Sequence, residues 1–177
     1  MKLLITSNIP KKIYDDLDKH FEISYHDSNV PLKKEEIIEM IKGQDALLCP
    51  LSDKIDKEVI DAGDNLKIIA NYGAGFDNID IDYAREKGIV VTNAPAPASA
   101  VSTAELAFGL MLAAARKIVS GDKVTRAGEF YGWRPTFYLG SQLKGKTLGI
   151  IGLGNIGKNL AKRARAFELS LIHISEP

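Results

Sequence analysis

The sequence has 177 residues, a domain's worth or slightly more, with 45% apolar and 26% charged residues, the proportions of a globular chain and not of a disordered one. Its 23 Lys and Arg balance 23 Asp and Glu, and a net charge of zero argues against a general nucleic-acid binder. One cysteine, Cys49, excludes an intramolecular disulfide framework and fits a reducing compartment, so a cytoplasmic protein is expected.

Taken in order, the chain alternates β-rich runs with helical patterns. Residues 2–6 predict a strand, and Pro10 opens a helix over 11–20 with Ile13, Tyr14 and Leu17 on one face. A strand at 21–25 precedes a helix at 34–42, which buries Ile37, Ile38 and Ile41 and is closed by Gly43. Strands at 45–49, 67–70 and 89–92 alternate with helices at 56–62 and 80–87, the second closed by Gly88. The loop Tyr72-Gly73-Ala74-Gly75 follows the fourth strand. Such alternation implies a parallel sheet with helices on both faces.

The texture changes at the Pro/Ala connector of residues 93–98, where a domain boundary is expected. A long helix is predicted from about 99 to 118, with Ser102 and Thr103 near its start, then a helical piece at 121–127 and the aromatic segment Phe130-Tyr131-Gly132-Trp133. The longest apolar stretch, 104–115, contains Glu105 and falls short of the roughly 18–20 residues of a membrane span. The N-terminus lacks the longer apolar core and cleavage site of a signal peptide.

Two phosphate-binding patterns overlap near residue 147. Gly140 to Thr147 fits the P-loop pattern GxxxxGK(S/T), but a P-loop leads into a helix. Here Leu148-Gly149-Ile150-Ile151-Gly152-Leu153-Gly154 follows, with three glycines and two β-branched residues, a poor helix start. The residues favour a surface turn at 144–146 before a buried strand over a triphosphatase site. The second pattern, Gly152-Leu153-Gly154-Asn155-Ile156-Gly157, has its proper context of a strand at 147–151 and a helix at 155–167. Gly152 permits the tight turn, Gly154 lets a pyrophosphate approach the backbone, and Gly157 lets helix and strand pack closely. The amides of Asn155 and Ile156 lie at the positive end of the helix.

Together with Asn71-Tyr72-Gly73-Ala74-Gly75-Phe76-Asp77-Asn78-Ile79-Asp80, Val91-Thr92-Asn93-Ala94-Pro95 and Ser102-Thr103-Ala104-Glu105, this turn resembles the D-isomer-specific 2-hydroxyacid dehydrogenases. The resemblance runs from Met1 to about Glu168 and covers about the first half of a family member. It implies an α/β fold in which a flavodoxin-like parallel-sheet substrate lobe, residues 1–97, is followed by the start of a Rossmann lobe for NAD or NADP, residues 98–177. Residues 99–140 would supply the interdomain helix and the contact of a homodimer; otherwise the helix and its aromatic neighbours would be intramolecular core. The amides of Ala74 and Gly75 would bind the carboxylate of a small 2-oxo or 2-hydroxy acid, with Leu51 and Ser52 bordering the pocket; glycine's conformational freedom alone would make the same loop a plain turn. Thr103, Gly152, Gly154, Asn155, Ile156 and Gly157 would approach the cofactor. Neither nucleic acid, membrane nor metal is implied.

The family's hydride transfer uses a histidine, a glutamate and an arginine that the resemblance places beyond position 177. His20, His26 and His173 fall in no family motif, and no residue of this chain is expected to be catalytic. Residues 169–177 resemble the in-frame translation of a sequencing-library adapter. The reading frame is therefore expected to be cut inside the second strand of the nucleotide lobe, with Glu176 near the ribose-binding position by accident and residues 171–174 strand-like. Such a lobe would leave Leu148 and Ile150 without partners and be disordered or aggregation-prone, and the chain would be inactive. A non-enzymatic NAD-sensing module is the alternative.

Overall fold

Residues 1–174 are described by the computed structural model, which divides into two compact units, Met1–Pro95 and Ala96–Pro177. Five short strands of the first unit carry apolar residues on both faces: β1 (Lys2–Ile5), β2 (Glu22–Tyr25), β3 (Ala46–Cys49), β4 (Ile68–Asn71) and β5 (Val90–Thr92). All pair in parallel in the order β2-β1-β3-β4-β5, the flavodoxin-like arrangement.

Alternation along each strand sorts the core into two layers. Leu4, Leu47, Cys49 and Ile69 point to one side, where they meet Ile37 and Ile41 of the α2 (Lys34–Met40) region, Val59 and Ile60 of α3 (Lys57–Ala62) and Ala84 of α4 (Ile81–Glu86). Leu3, Ile5 and Ala46 point to the other, where Tyr14 and Leu17 of α1 (Lys11–Leu17) cover them. Ile38 is only half-buried, and Ile13 is 41% exposed, so α1 uses a narrower apolar face than its sequence suggests. Asp56 and Asp80 start α3 and α4 by accepting from the Val59 and Tyr83 amides. Gly43 and Gly88 leave α2 and α4 at φ of +70° and +74°, a conformation that β-carbons disfavour.

The second unit opens with α5 (Pro97–Ala115), which starts inside the Pro/Ala connector because Pro97 is preorganised for the first helical turn. Ser102 and Thr103 therefore lie in its second turn. The helix stops at Ala115, earlier than expected, where Lys117 adopts φ of +56° and α6 (Ile118–Arg126) begins. At 19 residues α5 is long and apolar enough, by length and composition alone, to cross a membrane, which corrects the shorter stretch read from the sequence. Ala104 and Phe108 are buried in the unit's core, and Glu105 pairs with Arg163 at 2.5 Å.

Strand β6 (Thr147–Ile151) pairs in parallel with β7 (Ser170–Ile174), and α7 (Asn155–Ala166) connects them. The strand-like reading of 171–174 is thus met; Glu176 lies outside the described residues. The expectation that Leu148 and Ile150 lack partners is corrected. Leu148 packs on the Phe108, Ala164 and Leu169 cluster, to which Met111, Leu112 and Leu160 contribute, and Ile150 is buried. The apolar side of α5 supplies this cover. Thr147, Gly149 and Ile151 stay exposed, so β6 is not the fully buried strand anticipated.

Candidate functional site

In the first unit, the loops after β3 and β4 leave the same, carboxyl-terminal edge of the sheet, where open α/β sheets bind ligands. Leu51 lies against the glycine loop: a β-carbon on Gly73 would come within 2.6 Å of Leu51 Cγ, and one on Gly75 within 3.5 Å of Leu51 Cδ2. Leu51, Ala74 and Gly75 are therefore brought together, with Leu51 half-exposed over the loop.

Three consecutive carbonyls of the loop, those of Gly73, Ala74 and Gly75, are held by hydrogen bonds. The Ala94 amide donates to Gly73 O at 2.8 Å, Asn93 Nδ2 to Ala74 O at 2.7 Å and Asn71 Nδ2 to Gly75 O at 2.7 Å. Among the described residues, the amides of Ala74, Gly75 and Phe76 have no acceptor. Asn71 is buried and also donates to Asn78 Oδ1 at 2.9 Å, while Asn78 Nδ2 donates to Asp53 O at 3.0 Å, tying the two loops together. Sequence reasoning missed these three asparagines. A polar residue ending the apolar run Ile68-Ile69-Ala70 was the available clue, because a buried amide must find partners.

Deeper in the same edge, the Thr6 hydroxyl donates to Asp53 Oδ2 at 2.5 Å. Burial pushes the Asp53 carboxyl above its ordinary range, against the pull of the Thr6 and Ser52 hydroxyls. Burial, then the neighbouring Asp53 charge, pushes the Cys49 thiol up to about 12, which makes it inert as a nucleophile. His26 bonds the Val30 carbonyl through Nε2, and His20 lies in the turn after α1, not within it. Among the described residues no group of three or more His, Cys, Asp or Glu is placed to hold a metal.

In the second unit, β6 runs into a turn at Gly152, φ +80°, and then into α7. A β-carbon on Gly157 would clash with the Gly152 carbonyl oxygen, so helix and strand meet at this glycine. Gly154 has no atom within 4 Å of where its β-carbon would lie and gives α7 no side-chain cap. The Asn155 and Ile156 amides are thus left open at the positive end of the helix, and the turn fits a dinucleotide pyrophosphate. Thr103 is exposed and its hydroxyl bonds Ser99 O at 2.8 Å, within its own helix. Residues 140–146 precede a strand and not a helix, which removes the P-loop reading; Gly145 makes a turn at φ +77° and Lys144 pairs with Glu168. Phe130, Tyr131 and Trp133 are exposed, as are Leu106 and Leu110 of α5, so they are not core of this unit.

Residues 3–169 match the family model described as D-isomer specific 2-hydroxyacid dehydrogenase, catalytic domain. A Staphylococcus haemolyticus protein assigned to the 2-hydroxyacid dehydrogenases is 51% identical over 172 residues, 97% of this chain and 54% of its own. A crystal structure of a Thermus thermophilus protein covers all of this chain, which spans 57% of it, with a TM-score of 0.91 at 38% identity. The Aquifex aeolicus D-lactate dehydrogenase, complexed with NAD and lactic acid, matches 97% of this chain and 50% of its own with a TM-score of 0.80 at 28% identity. The chain spans about half the length of the curated relatives it matches, and it belongs to the D-isomer specific 2-hydroxyacid dehydrogenase family.

Proposed function

We propose that the protein to which this chain belongs transfers a hydride between a nicotinamide dinucleotide and a small 2-oxo or 2-hydroxy acid of D configuration. The carrying observation is the pair of open amides at Ala74 and Gly75, on a loop whose Gly73, Ala74 and Gly75 carbonyls are each held by a hydrogen bond. Consecutive open backbone amides suit a carboxylate. Leu51 borders them and supplies an apolar wall for a small substrate. On this reading residues 1–97 form the substrate lobe and residues 98–177 begin the cofactor lobe.

The open amides of Asn155 and Ile156 would hold the pyrophosphate, with Gly152 and Gly154 allowing its approach and Gly157 fixing the helix. Thr103 borders the cofactor. When bound, the nicotinamide accepts or donates the hydride. The dinucleotide is NAD or NADP: the D-lactate dehydrogenase neighbour holds NAD and an imino acid reductase neighbour holds NADPH. On this reading proton transfer falls to the histidine and glutamate that the family resemblance implies, and none of His20, His26 and His173 lies in either loop. A second copy of the chain would cover the exposed Leu106 and Leu110 of α5 and the aromatic segment at 130–133. The non-enzymatic module has no observation in its favour.

The test is NAD(P)H oxidation by the complete gene product, with glyoxylate, pyruvate and hydroxypyruvate as acceptors. We expect reduction to the D-alcohol where the product is chiral, and loss of turnover with Gly154→Ser. Absence of turnover with every 2-oxo acid, or an L product, would overturn the proposal.

A further inference from the structure

A trans peptide points its C=O and its following N–H in opposite directions. Among the described residues no peptide bond is cis, so the three bonds on the Gly73, Ala74 and Gly75 carbonyls also fix the next three amides. Holding Gly73 O on the Ala94 amide turns the Ala74 amide outward. Holding Ala74 O on Asn93 Nδ2 does the same for Gly75, and holding Gly75 O on Asn71 Nδ2 does the same for Phe76. None of the three amides has an acceptor among the described residues.

We infer that Asn71 and Asn93 are positioning residues that aim a receptor of three consecutive amides at a carboxylate, with the Phe76 amide as a third donor. This rests on the substrate-loop reading above and adds a donor and two supports to it. The anchors differ in kind. Asn71 is buried, and both its amide hydrogens are in use, toward Gly75 O and Asn78 Oδ1, so a carboxylate in its place would face two acceptors. Asn93 is exposed and has a single bond to the loop, so removing its side chain leaves the core intact.

The assignment is one anchor to one amide, and nuclear magnetic resonance of the ¹⁵N-labelled chain reads it directly. Without ligand, Asn93→Ala should shift or broaden the Gly75 amide more than its neighbours, and Asn71→Asp the Phe76 amide. Oxamate, a stable 2-oxo acid mimic, should shift all three amides of the unsubstituted, complete gene product along one binding curve. Asn93→Ala should weaken that curve by about three- to tenfold, the scale of one hydrogen bond, with the melting temperature unchanged. Equal disturbance of all loop amides by either variant would overturn the positioning roles, and this arm needs no ligand. Shifts at Ala74 and Gly75 without Phe76 would remove the third donor and leave the substrate-loop reading standing. No shift at any of the three would sink that reading, while the ligand-free arm still decides the anchors. Should Asn71→Asp fail to fold, the exposed Asn93 variant carries the test.

Discussion

Replacing Gly157 by alanine adds one methyl at the tightest contact of the second unit. The new β-carbon would run into the Gly152 carbonyl oxygen, with Gly152 C at 3.3 Å and Ile150 Cγ2 at 3.4 Å behind it. The first obstacle is backbone, which cannot rotate aside as a side chain can. Overpacking of this kind costs about 1–3 kcal/mol, and the upper end applies because α7 must lift from β6 as a whole. For a domain of about this size, that lowers the melting temperature by roughly 10–20 °C. Gly154→Ser is the matching control. Its β-carbon meets nothing within 4 Å, its φ of −73° and ψ of −157° suit serine, and the hydroxyl can cap the open α7 amides. That variant should be as stable as the parent, or firmer by a few tenths of a kcal/mol. Urea unfolding followed by circular dichroism, with amide exchange along α7, separates the two. A Gly157→Ala variant melting within about 2 °C of the parent, or a Gly154→Ser variant less stable than it, would refute this account of the turn.

Gly73→Ala should behave differently from Gly157→Ala, because the three atoms nearest its new carbon belong to the Leu51 side chain, with Cγ at 2.6 Å, and not to backbone. We expect a cost at the lower end of about 1–3 kcal/mol, smaller than that of Gly157→Ala, together with a large change in the Leu51 methyl resonances; a loss of stability as large as that of Gly157→Ala would contradict it. Leu47→Ala, at a fully buried position in β3, should cost about 2–5 kcal/mol in urea unfolding. Tyr131→Ala, 79% exposed, should stay within about 0.5 kcal/mol. Burial raises the Asp53 carboxyl in the folded chain, so the unfolded chain ionises first as pH climbs past the ordinary 3.8. The stability Asp53 contributes is full below that value and is lost as pH rises toward the raised folded one. Asp53→Asn keeps an acceptor for Thr6 and should flatten this part of the melting-temperature profile; parallel profiles for parent and variant would show that burial does not hold the proton.

Element types were legible because apolar spacing and punctuation agreed: Gly43 and Gly88 closed helices, Asp56 and Asp80 opened them, and Thr147–Ile151 was read to the residue. Strand order was not legible from periodicity, since any parallel order satisfies the same alternation; it came with the family resemblance. The cover on Leu148 was missed because it comes from Phe108, far away in sequence, on a helix expected to face elsewhere. Of the site, the glycines announced themselves through spacing. The asparagines did not, because the work of Asn71 and Asn93 lies in which carbonyl each reaches, and that is a fact of the folded loop.

Cys49 is the chain's one thiol and lies fully buried in β3, between β1 and β4 at the centre of the first unit's sheet. A thiol held at about 12 is almost wholly protonated at neutral pH and out of reach of reagents. Any alkylation must therefore wait until that sheet parts, so the labelling rate clocks the rarest openings of the first unit and is blind to fraying in the second. The fold thus carries its own stopwatch for its most protected core, with no competing thiol to remove first.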